Sequence, residues 1–438
     1  MMSSDIEEMI TPAFQFGAIN ENVLLAEDKI EIQVDGIAYK GNGQAWLELI
    51  PRPHIIIYCE FERIPLHIAL PVAFKQKPID SFTFGNKAIN GFIISIGGDA
   101  PKEEFNFRWC PRSEPIIGRG DETTKIQNII FHLFNFKEVF GLESIELKAE
   151  PWIGELRSLL ETSDRFKQLK ENGGYGLTHI GIFKKTDESL FSGKEAADAL
   201  HALRFFFSFA KGNWCNPICP VGFDDANNHA WELWSSPKDP WQPGQTPFSW
   251  FDPHHSQQLV SLFSGFMARW NQENWREAIH EVIYWYLNSN HSSRGIDAGI
   301  ILTQAAIERL SYEYAVKDRK LIEANGFKNL RGSDKFRLLF SSLDIPIDIP
   351  TSLFEMTKFA GQFNWIDSPH ALTEMRNSLV HPEHKQRGQY SDAYFEAWNL
   401  GLWYLELALL RICGYVGSYC NRLNARWVGT IEDVPWKQ

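Results

Sequence analysis

The spacing of apolar residues changes along the chain, and this change limits the fold more than any other feature. In the first third, apolar and polar residues alternate, as they do in strands with one buried face. After residue 253, apolar residues recur every three or four positions, which is typical of amphipathic helices in a bundle. The sequence therefore predicts a multidomain α+β fold with a β-rich N-terminal domain, a mixed α/β middle segment and a C-terminal all-α helical bundle.

The β-rich domain is expected to cover residues 1–150. Three alternating runs predict strands: Ile30, Ile32 and Val34; Ile55, Ile57, Cys59 and Phe61; and Phe105, Phe107 and Trp109. Gly41-Asn42-Gly43 and Gly97-Gly98 predict turns. Short strands separated by turns favour a sandwich- or barrel-like domain. No pattern in it indicates catalysis, so a sensing role and a purely structural role both stay open.

The middle segment, residues 151–253, is expected to mix helices and strands. Residues 152–169 predict a helix that ends at a glycine-rich break, and residues 179–183 predict a short strand. A second helix is predicted over 194–209. A stretch rich in tryptophan and proline follows, and repeated prolines exclude a long regular element there. We interpret it as an ordered wrap over a domain surface.

The C-terminal domain, residues 254–438, is expected to be a helical bundle. Four periodic sets predict its helices: Leu259, Leu262, Phe263, Phe266 and Trp270; Trp275, Ile279, Val282 and Tyr286; Ile296, Ile300, Thr303, Ile307, Leu310 and Tyr314; and Leu402, Leu405, Leu409, Ile412 and Val416. Such spacing suits helices that pack nearly antiparallel to their neighbours.

The charge of the chain argues against a protein coated in basic surface. There are 55 acidic and 43 basic residues, a net charge of −12. The acidic excess lies mainly before residue 254, and the C-terminal part is close to neutral. A local basic patch in the C-terminal domain therefore stays open.

The sequence predicts a cytoplasmic protein with no membrane contact. No apolar run approaches the length of a membrane span. The first ten residues carry acidic side chains and lack the basic, then apolar, pattern of a signal peptide.

The cysteines are expected to be reduced, and most of them to be small buried hydrophobes. There are six: Cys59, Cys110, Cys215, Cys219, Cys413 and Cys420. Cys215 and Cys219 have a spacing that zinc sites use, and His229 is the nearest further ligand. A closed zinc site needs two more ligands than this pair supplies. We therefore expect no metal and no cofactor, with zinc at Cys215 and Cys219 as the open alternative.

The strongest candidate for chemistry is the segment that ends at Pro382. Asn377 and His381 lie four positions apart, so they share one face of a helix. The apolar residues form a separate face: Leu372, Met375 and Leu379. Arg376 lies about 140° from His381 on an ideal helix. Because Pro382 disfavours helical geometry at the preceding residue, we expect His381 at the helix end, where the three polar side chains can converge.

These residue types suit the cleavage of RNA without a metal. His381 can titrate near neutral pH and exchange a proton with a 2′-hydroxyl or a leaving oxygen. Arg376 keeps its charge and suits a phosphate that gains negative charge in the transition state. Asn377 can orient the histidine or hold the phosphate. Three further residues are expected to bind neighbouring phosphates of RNA: His384, Lys385 and Arg387.

The segment from Arg376 to His381 resembles the R-x4–6-H motif of the HEPN superfamily, in which a polar residue commonly follows the arginine. The resemblance covers about the last 185 residues and implies a compact HEPN-like helical bundle. Many HEPN domains are metal-independent endoribonucleases of toxin–antitoxin, abortive-infection and CRISPR-linked defence systems. They usually act as homodimers with a composite site. A β-rich front followed by such a domain also resembles the layout of ApeA-type anti-phage HEPN proteins.

The HEPN resemblance also makes Glu308 a candidate site residue, because HEPN bundles often place an acidic residue on the helix that faces the motif. Glu308 is therefore expected to support the site through an ion pair with Arg376. The alternative is an exposed glutamate that pairs with a surface Lys or Arg.

The expected function is that of an anti-phage defence or toxin endoribonuclease. Its N-terminal domains would sense a phage-derived trigger or regulate the nuclease, and its substrate would be RNA, with tRNA and other structured RNA as candidates. The alternative is a non-catalytic HEPN-like module that dimerises and binds a ligand. A further alternative is an antitoxin-linked role, in which a nucleotidyltransferase modifies the HEPN domain.

Overall fold

The computed structural model describes most of the chain. The described residues are 11–61, 63–140, 144–159, 161–243, 245, 248–291, 295–386, 388–424, 427 and 429–437. The fold is mixed α/β, with a β-rich N-terminal region and a helical C-terminal region, which confirms the predicted fold class. In the described part of the chain, no helix is both long enough and apolar enough to cross a membrane.

The strands have the following bounds: β1 Val23–Val34, β2 Ile37–Glu48, β3 His54–Phe61, β4 Ser81–Phe84, β5 Lys87–Ala88, β6 Gly91–Asp99, β7 Glu104–Pro111, β8 Ile116–Arg119, β9 Lys125–Ile126, β10 Asn128–Phe134, β11 Ser144–Ala149, β12 Trp152–Ser158, β13 Leu177–Lys185, β14 Phe191–Ser192, β15 Ile218–Phe223, β16 His229–Trp234, β17 Ser418–Tyr419 and β18 Glu432–Asp433.

The helices have the following bounds: α1 Leu66–Ala73, α2 Thr162–Asn172, α3 Gly193–Lys211, α4 Gln257–Trp270, α5 Glu273–Asn290, α6 Ile296–Tyr312, α7 Ala324–Asn329, α8 Gly332–Ser342, α9 Phe354–Phe363, α10 Ser368–Val380 and α11 Tyr394–Ile412. A π-helical segment, Glu313–Asp318, continues α6.

The chain packs into two units that alternate along the sequence. The first unit comprises residues 1–138, 154–200 and 215–245, and the second comprises 139–153, 201–214 and 246–438. The division of the sequence into 1–150, 151–253 and 254–438 stays a prediction.

The first unit is built from antiparallel strands around a shared core. Its first sheet has the order β5-β4-β1-β2-β3-β7-β6, and its second contains β12-β13-β10-β15-β16-β8. In the first sheet, every second side chain of β3 and β7 points into the core, as the alternation predicts. Side chains of the second sheet, such as Phe134 and Trp234, belong to the same core cluster.

Both predicted glycine turns are wrong, because the glycines lie inside strands. Gly41 and Gly43 fall within β2, and Gly97 and Gly98 fall within β6. A Cβ atom on Gly41 would lie 2.1 Å from the carbonyl oxygen of Glu60. A Cβ atom on Gly43 would lie 2.4 Å from Ile30 Cγ2. The β2 glycines therefore allow close approach between neighbouring strands rather than a change of direction.

The predicted helix over 152–169 is wrong in its first half. Trp152–Ser158 is strand β12, and the helix begins only at Thr162. Within β12, Trp152, Gly154 and Leu156 are buried, and the residues between them are only half-buried. Over only 7 residues, a two-residue period cannot be distinguished from a helical period in the sequence. The strand at 179–183 and the helix at 194–209 are confirmed as parts of β13 and α3.

The second unit is mainly helical, with the strands β11, β17 and β18 in addition, and α6 is its central helix. This helix contacts α5, α8, α10 and α11. The predicted faces of α4 and α5 are buried. On α6, Ile300, Thr303, Ile307 and Leu310 are buried as predicted. Against the prediction, Ile296 is exposed, and Tyr314 is half-buried in the π-helical segment beyond α6. The last helix ends at Ile412, so Val416 lies beyond it and is exposed, against the prediction.

A buried carboxylate joins three parts of the second unit. Glu406 on α11 accepts hydrogen bonds from the Tyr286 hydroxyl of α5 at 2.6 Å and from Arg422 Nη2 at 2.5 Å. Arg422 Nε also donates to Glu406 at 3.0 Å. The Glu406 side chain is fully buried, and that of Arg422 is 3% exposed. A buried ion pair with these additional hydrogen bonds has its polar groups satisfied.

We predict that Glu406→Gln lowers the free energy of unfolding by about 3–5 kcal/mol, because it leaves Arg422 as a buried cation without its counter-ion. Asp344→Asn is the matched control. Its ion pair with Arg411 at 2.7 Å is largely exposed and contributes about 1 kcal/mol or less. Denaturant titrations followed by circular dichroism measure both changes. Equal, small effects of the two substitutions would contradict the prediction.

We predict that acid destabilises the first unit through two buried histidines. Burial lowers the pKa of His132 to about 4 and that of His179 to about 3. In the unfolded chain both pKa values return to about 6.5, so the unfolded state binds protons first as the pH falls. Stability is therefore fully present above about pH 6.5 and is lost progressively toward pH 4.

The variant His179→Phe tests this prediction. The His179 ring packs edge-on against Phe136, and its Nε2 has no hydrogen-bond partner among the described residues. His179 Nδ1 is hydrogen-bonded to Thr178 Oγ1 at 3.0 Å, but this hydroxyl also donates to the Leu133 carbonyl oxygen and accepts from the Phe136 N–H. Phenylalanine can therefore replace His179 without leaving the Thr178 hydroxyl unpaired. The dependence of melting temperature on pH between 6.5 and 4 should be shallower in the variant. Identical pH dependence in both proteins would contradict the prediction.

Candidate active site on the tenth helix

The start of α10 is fixed by charge and by burial. Asp367 caps the helix by accepting a hydrogen bond from the His370 backbone N–H at 2.9 Å. Arg337 of α8 binds the same carboxylate through Nε at 2.7 Å and Nη2 at 3.1 Å. Leu372 and Met375 of the predicted apolar face are fully buried, whereas the third member, Leu379, is only half-buried. The register of the helix, and hence the direction of its polar residues, follows from these contacts.

The helix ends at His381, as the following proline predicts. His381 is the C-cap residue, with an extended backbone at φ −99° and ψ 113°. Its backbone N–H donates to the Asn377 carbonyl oxygen at 3.0 Å. The residue is exposed, and within the described part of the chain its imidazole makes no hydrogen bond or ion pair.

Arg376 and Asn377 lie in contact next to this end. Arg376 Nη1 donates to Asn377 Oδ1 at 3.4 Å, and both residues are half-buried. Among the residues that the structure describes, no carboxylate lies within ion-pair distance of the Arg376 guanidinium. The Arg376 guanidinium therefore lies near the exposed His381 and has no carboxylate counter-ion among the described residues.

Glu308 does not pair with Arg376. Its carboxylate accepts a hydrogen bond from Lys335 Nζ at 2.5 Å, and its side chain is 51% exposed. This is the alternative stated from the sequence, an exposed glutamate bound to a surface lysine. The helix that carries Glu308 does contact α10, because Gln304 Nε2 donates to the Leu372 carbonyl oxygen at 2.5 Å.

The residues predicted to bind RNA differ in their surroundings. His384 Nε2 lies 3.4 Å from Glu374 Oε2, and the His384 side chain is only 16% exposed. Lys385 is exposed. Arg387 lies outside the described residues. The loop after the motif therefore presents Lys385 to solvent and turns His384 back onto α10.

Glu374 is a site residue that the sequence interpretation missed. It precedes Asn377 by three positions and His381 by seven, so all three share one helical face. That spacing is visible in the sequence and could have identified it. The position of Arg337 at the helix cap could not have been identified in this way, because the two residues are 30 positions apart.

Among the described residues, Cys215 and Cys219 do not belong to a cluster of possible zinc ligands. Cys215 and Cys219 are buried, and Cys219 Sγ lies 3.2 Å from the Ser235 carbonyl oxygen. Burial raises the pKa of the Cys219 thiol, which disfavours the thiolate that a zinc ion needs. His229 Nε2 faces Glu232 Oε1 at 3.2 Å. Across the described ranges, no group of three or more His, Cys, Asp or Glu residues is arranged to hold a metal ion.

Two family models match the chain, and their boundaries place α10 in the second match. The YopA central domain matches residues 121–244, and the YopA C-terminal domain matches residues 272–433. No solved structure matches the chain. The chain is 30% identical over 329 residues to the SPbeta prophage-derived protein YopA of Bacillus subtilis (strain 168). This similarity covers 72% of the chain and 73% of the relative, so the chain belongs to the YopA family.

Proposed function

We propose that the C-terminal helical region is a HEPN-type, metal-independent endoribonuclease, with the N-terminal region as its sensing or regulatory part. The observation that carries this proposal is the half-buried Arg376 guanidinium, which contacts Asn377 Oδ1 at 3.4 Å and has no carboxylate partner among the described residues. A cation of this kind beside a titratable, exposed histidine suits a phosphodiester substrate.

The reaction would be an internal transesterification of RNA. The 2′-hydroxyl oxygen attacks the adjacent phosphorus, the bond to the 5′-oxygen breaks, and the products are a 2′,3′-cyclic phosphate and a 5′-hydroxyl. His381 accepts the proton of the 2′-hydroxyl or donates one to the leaving 5′-oxygen. Arg376 neutralises charge on the scissile phosphate, and Asn377 orients Arg376 through their contact.

The order of the helices and the nature of the relative support this proposal. The motif lies on a helix that follows a set of packed helices and precedes a long final helix, as in the HEPN layout. The relative derives from a prophage. A defence or toxin nuclease is a protein that takes part in conflict between phage and host.

We also propose the partners of the protein and the compartment in which it acts. The substrate is RNA, and tRNA and other structured RNA are the first candidates. The site is completed in a homodimer, since the polar face of α10 is turned away from the buried face of the same helix. A phage-derived trigger acts on the N-terminal region, and the protein works in the cytoplasm.

A non-catalytic module is the second candidate, and the position of His381 favours it. The residue is the C-cap of α10, where a protonated imidazole stabilises the negative end of the helix dipole. In that case His381 supports the fold, and the helical region serves dimerisation and ligand binding.

We predict that the wild-type protein cleaves a mixed pool of tRNA and structured RNA in EDTA and leaves 2′,3′-cyclic phosphate ends. Arg376→Ala and His381→Ala should each lower the rate by about 10²–10⁴-fold, because each removes a charge or a proton-transfer group. Gel analysis and end-group chemistry measure both effects. His370→Ala is the matched control, since it removes a histidine from the first turn of the same helix. Cleavage that survives in all three variants would contradict the assignment.

We predict that overexpression of the wild-type protein slows bacterial growth and that His381→Ala relieves the effect while the protein stays folded. An exposed side chain contributes within about 0.5 kcal/mol to stability, so the melting temperature should hardly change. Growth curves and thermal melts provide the two measurements. A fully toxic variant would argue against catalysis by His381, and an unfolded variant would favour the helix-capping role.

A further inference from the structure

A second surface of the helical unit combines cationic and aromatic side chains. It is formed by His201 and Arg204 of α3, by Trp214 in the segment after α3, and by His280 and Tyr284 of α5. We call these five residues the aromatic–cationic patch. His201 and Arg204 are three positions apart on α3, and His280 and Tyr284 are four apart on α5, so each pair shares a helical face.

Arg204 is the unusual member of the patch. Its guanidinium lies over the Trp214 ring at 4.7 Å and over the Phe205 ring at 5.7 Å. Its Nε is buried without a hydrogen-bond partner, and no carboxylate of the described residues lies within ion-pair distance. Burial lowers the pKa of Arg204. A cation that has lost water without gaining an anion is unfavourable, and the contacts with aromatic rings offset this only in part.

Two acidic side chains of α5 are already bound to Arg309. Arg309 Nε holds Glu281 at 2.6 Å, and Arg309 Nη2 lies 3.8 Å from Glu277. The pKa of His280 is lowered, first by burial and then by the charge of Arg204, while the charge of Glu281 acts in the opposite direction. The patch is therefore a region of uncompensated positive potential on a protein of net charge −12.

The rings of the patch lie next to one another, and three of them are exposed. His201 stacks on His280 with ring centroids 6.0 Å apart and an interplanar angle of 16°. Trp214 lies 6.2 Å from Tyr284, whose side chain is 48% exposed. His201 and His280 are exposed as well. Aromatic faces next to an arginine are the surface on which bases of single-stranded nucleic acid stack.

We propose that the aromatic–cationic patch binds a nucleotide unit of single-stranded RNA, with a phosphate on Arg204 and a base on Trp214 and Tyr284. A guanidinium fork binds a phosphate through two parallel hydrogen bonds, for which the Nη atoms of Arg204 are available. The aromatic rings favour a nucleotide over an acidic peptide, because a carboxylate offers nothing to stack. The choice of RNA rests on the proposed function, whereas the binding of a nucleotide does not depend on cleavage.

The experiment compares binding with stability in the full-length chain. Fluorescence anisotropy of a labelled single-stranded oligoribonucleotide is measured in EDTA with His381→Ala present throughout, so that cleavage cannot interfere. In this background, Arg204→Met keeps an apolar stem over Trp214 and removes the charge. Arg319→Met is the matched control, because Arg319 is exposed and lies elsewhere in the same unit.

Arg204→Met should weaken binding about tenfold or more. It should also reduce the slope of log affinity against log salt concentration by about one, because about one counter-ion fewer is released on binding. Its melting temperature should stay equal or rise, because no protein contact to a carboxylate is lost. Arg319→Met should bind within about twofold of the parent. Trp214→Leu should weaken binding about tenfold through the loss of stacking.

Binding by Arg204→Met equal to that of the control would overturn the proposal, as would a melting temperature several degrees lower, which would make Arg204 a structural cation. Competition by polyglutamate as strong as by RNA would assign the patch to acidic peptides. Uridine monophosphate that competes as strongly as the oligonucleotide would overturn the assignment to RNA in favour of a free nucleotide. Binding that depends on Arg204 without any cleavage by the wild type would keep this inference and refute only the proposed nuclease.

Discussion

The buried carboxylate of Glu406 is the interaction on which the helical unit depends. It fixes α11 against α5 through Tyr286 and against the C-terminal segment through Arg422. Arg422 also lies 3.3 Å from Asn290 Oδ1, and the amide of Asn290 donates to the carbonyl oxygens of Gly212 and Phe248 at 2.7 Å. One carboxylate thereby holds the ends of several segments together. The helix α10 packs on α6 and α11, so its position follows from this framework.

The arginines of the helical unit differ in whether the protein supplies their counter-ions. Arg309, Arg337 and Arg422 each bind at least one carboxylate at 3.0 Å or less. Among the described residues, Arg376 and Arg204 bind none. The chain has 55 acidic residues for 43 basic ones, so carboxylates are not scarce. Under the two proposals made above, these two half-buried cations serve as sites for an anionic ligand.

The sequence predicted best those features that depend on a single helix or strand and not on its neighbours. The alternation at Ile55–Cys59 and the helical period of α4 each depend on one buried face, and both elements are present. His381 could be placed at a helix end because Pro382 acts locally. Gly41 and Gly43 were misjudged because their role depends on side chains of other strands. Likewise, the phenylalanines at the end of α3 indicate burial but not which element covers them, so the alternation of the two units could not be foreseen.

The ion pair between Glu374 and His384 affects how the candidate site can bind a phosphate. Glu374 shares a helical face with His381, and its negative charge alone would repel an incoming phosphate. His384 lies 3.4 Å from this carboxylate and, when protonated, offsets its charge. Under the proposed function, His384 therefore acts by neutralising Glu374 more than by touching RNA, and Lys385 is the described residue of the loop that is free to reach a phosphate.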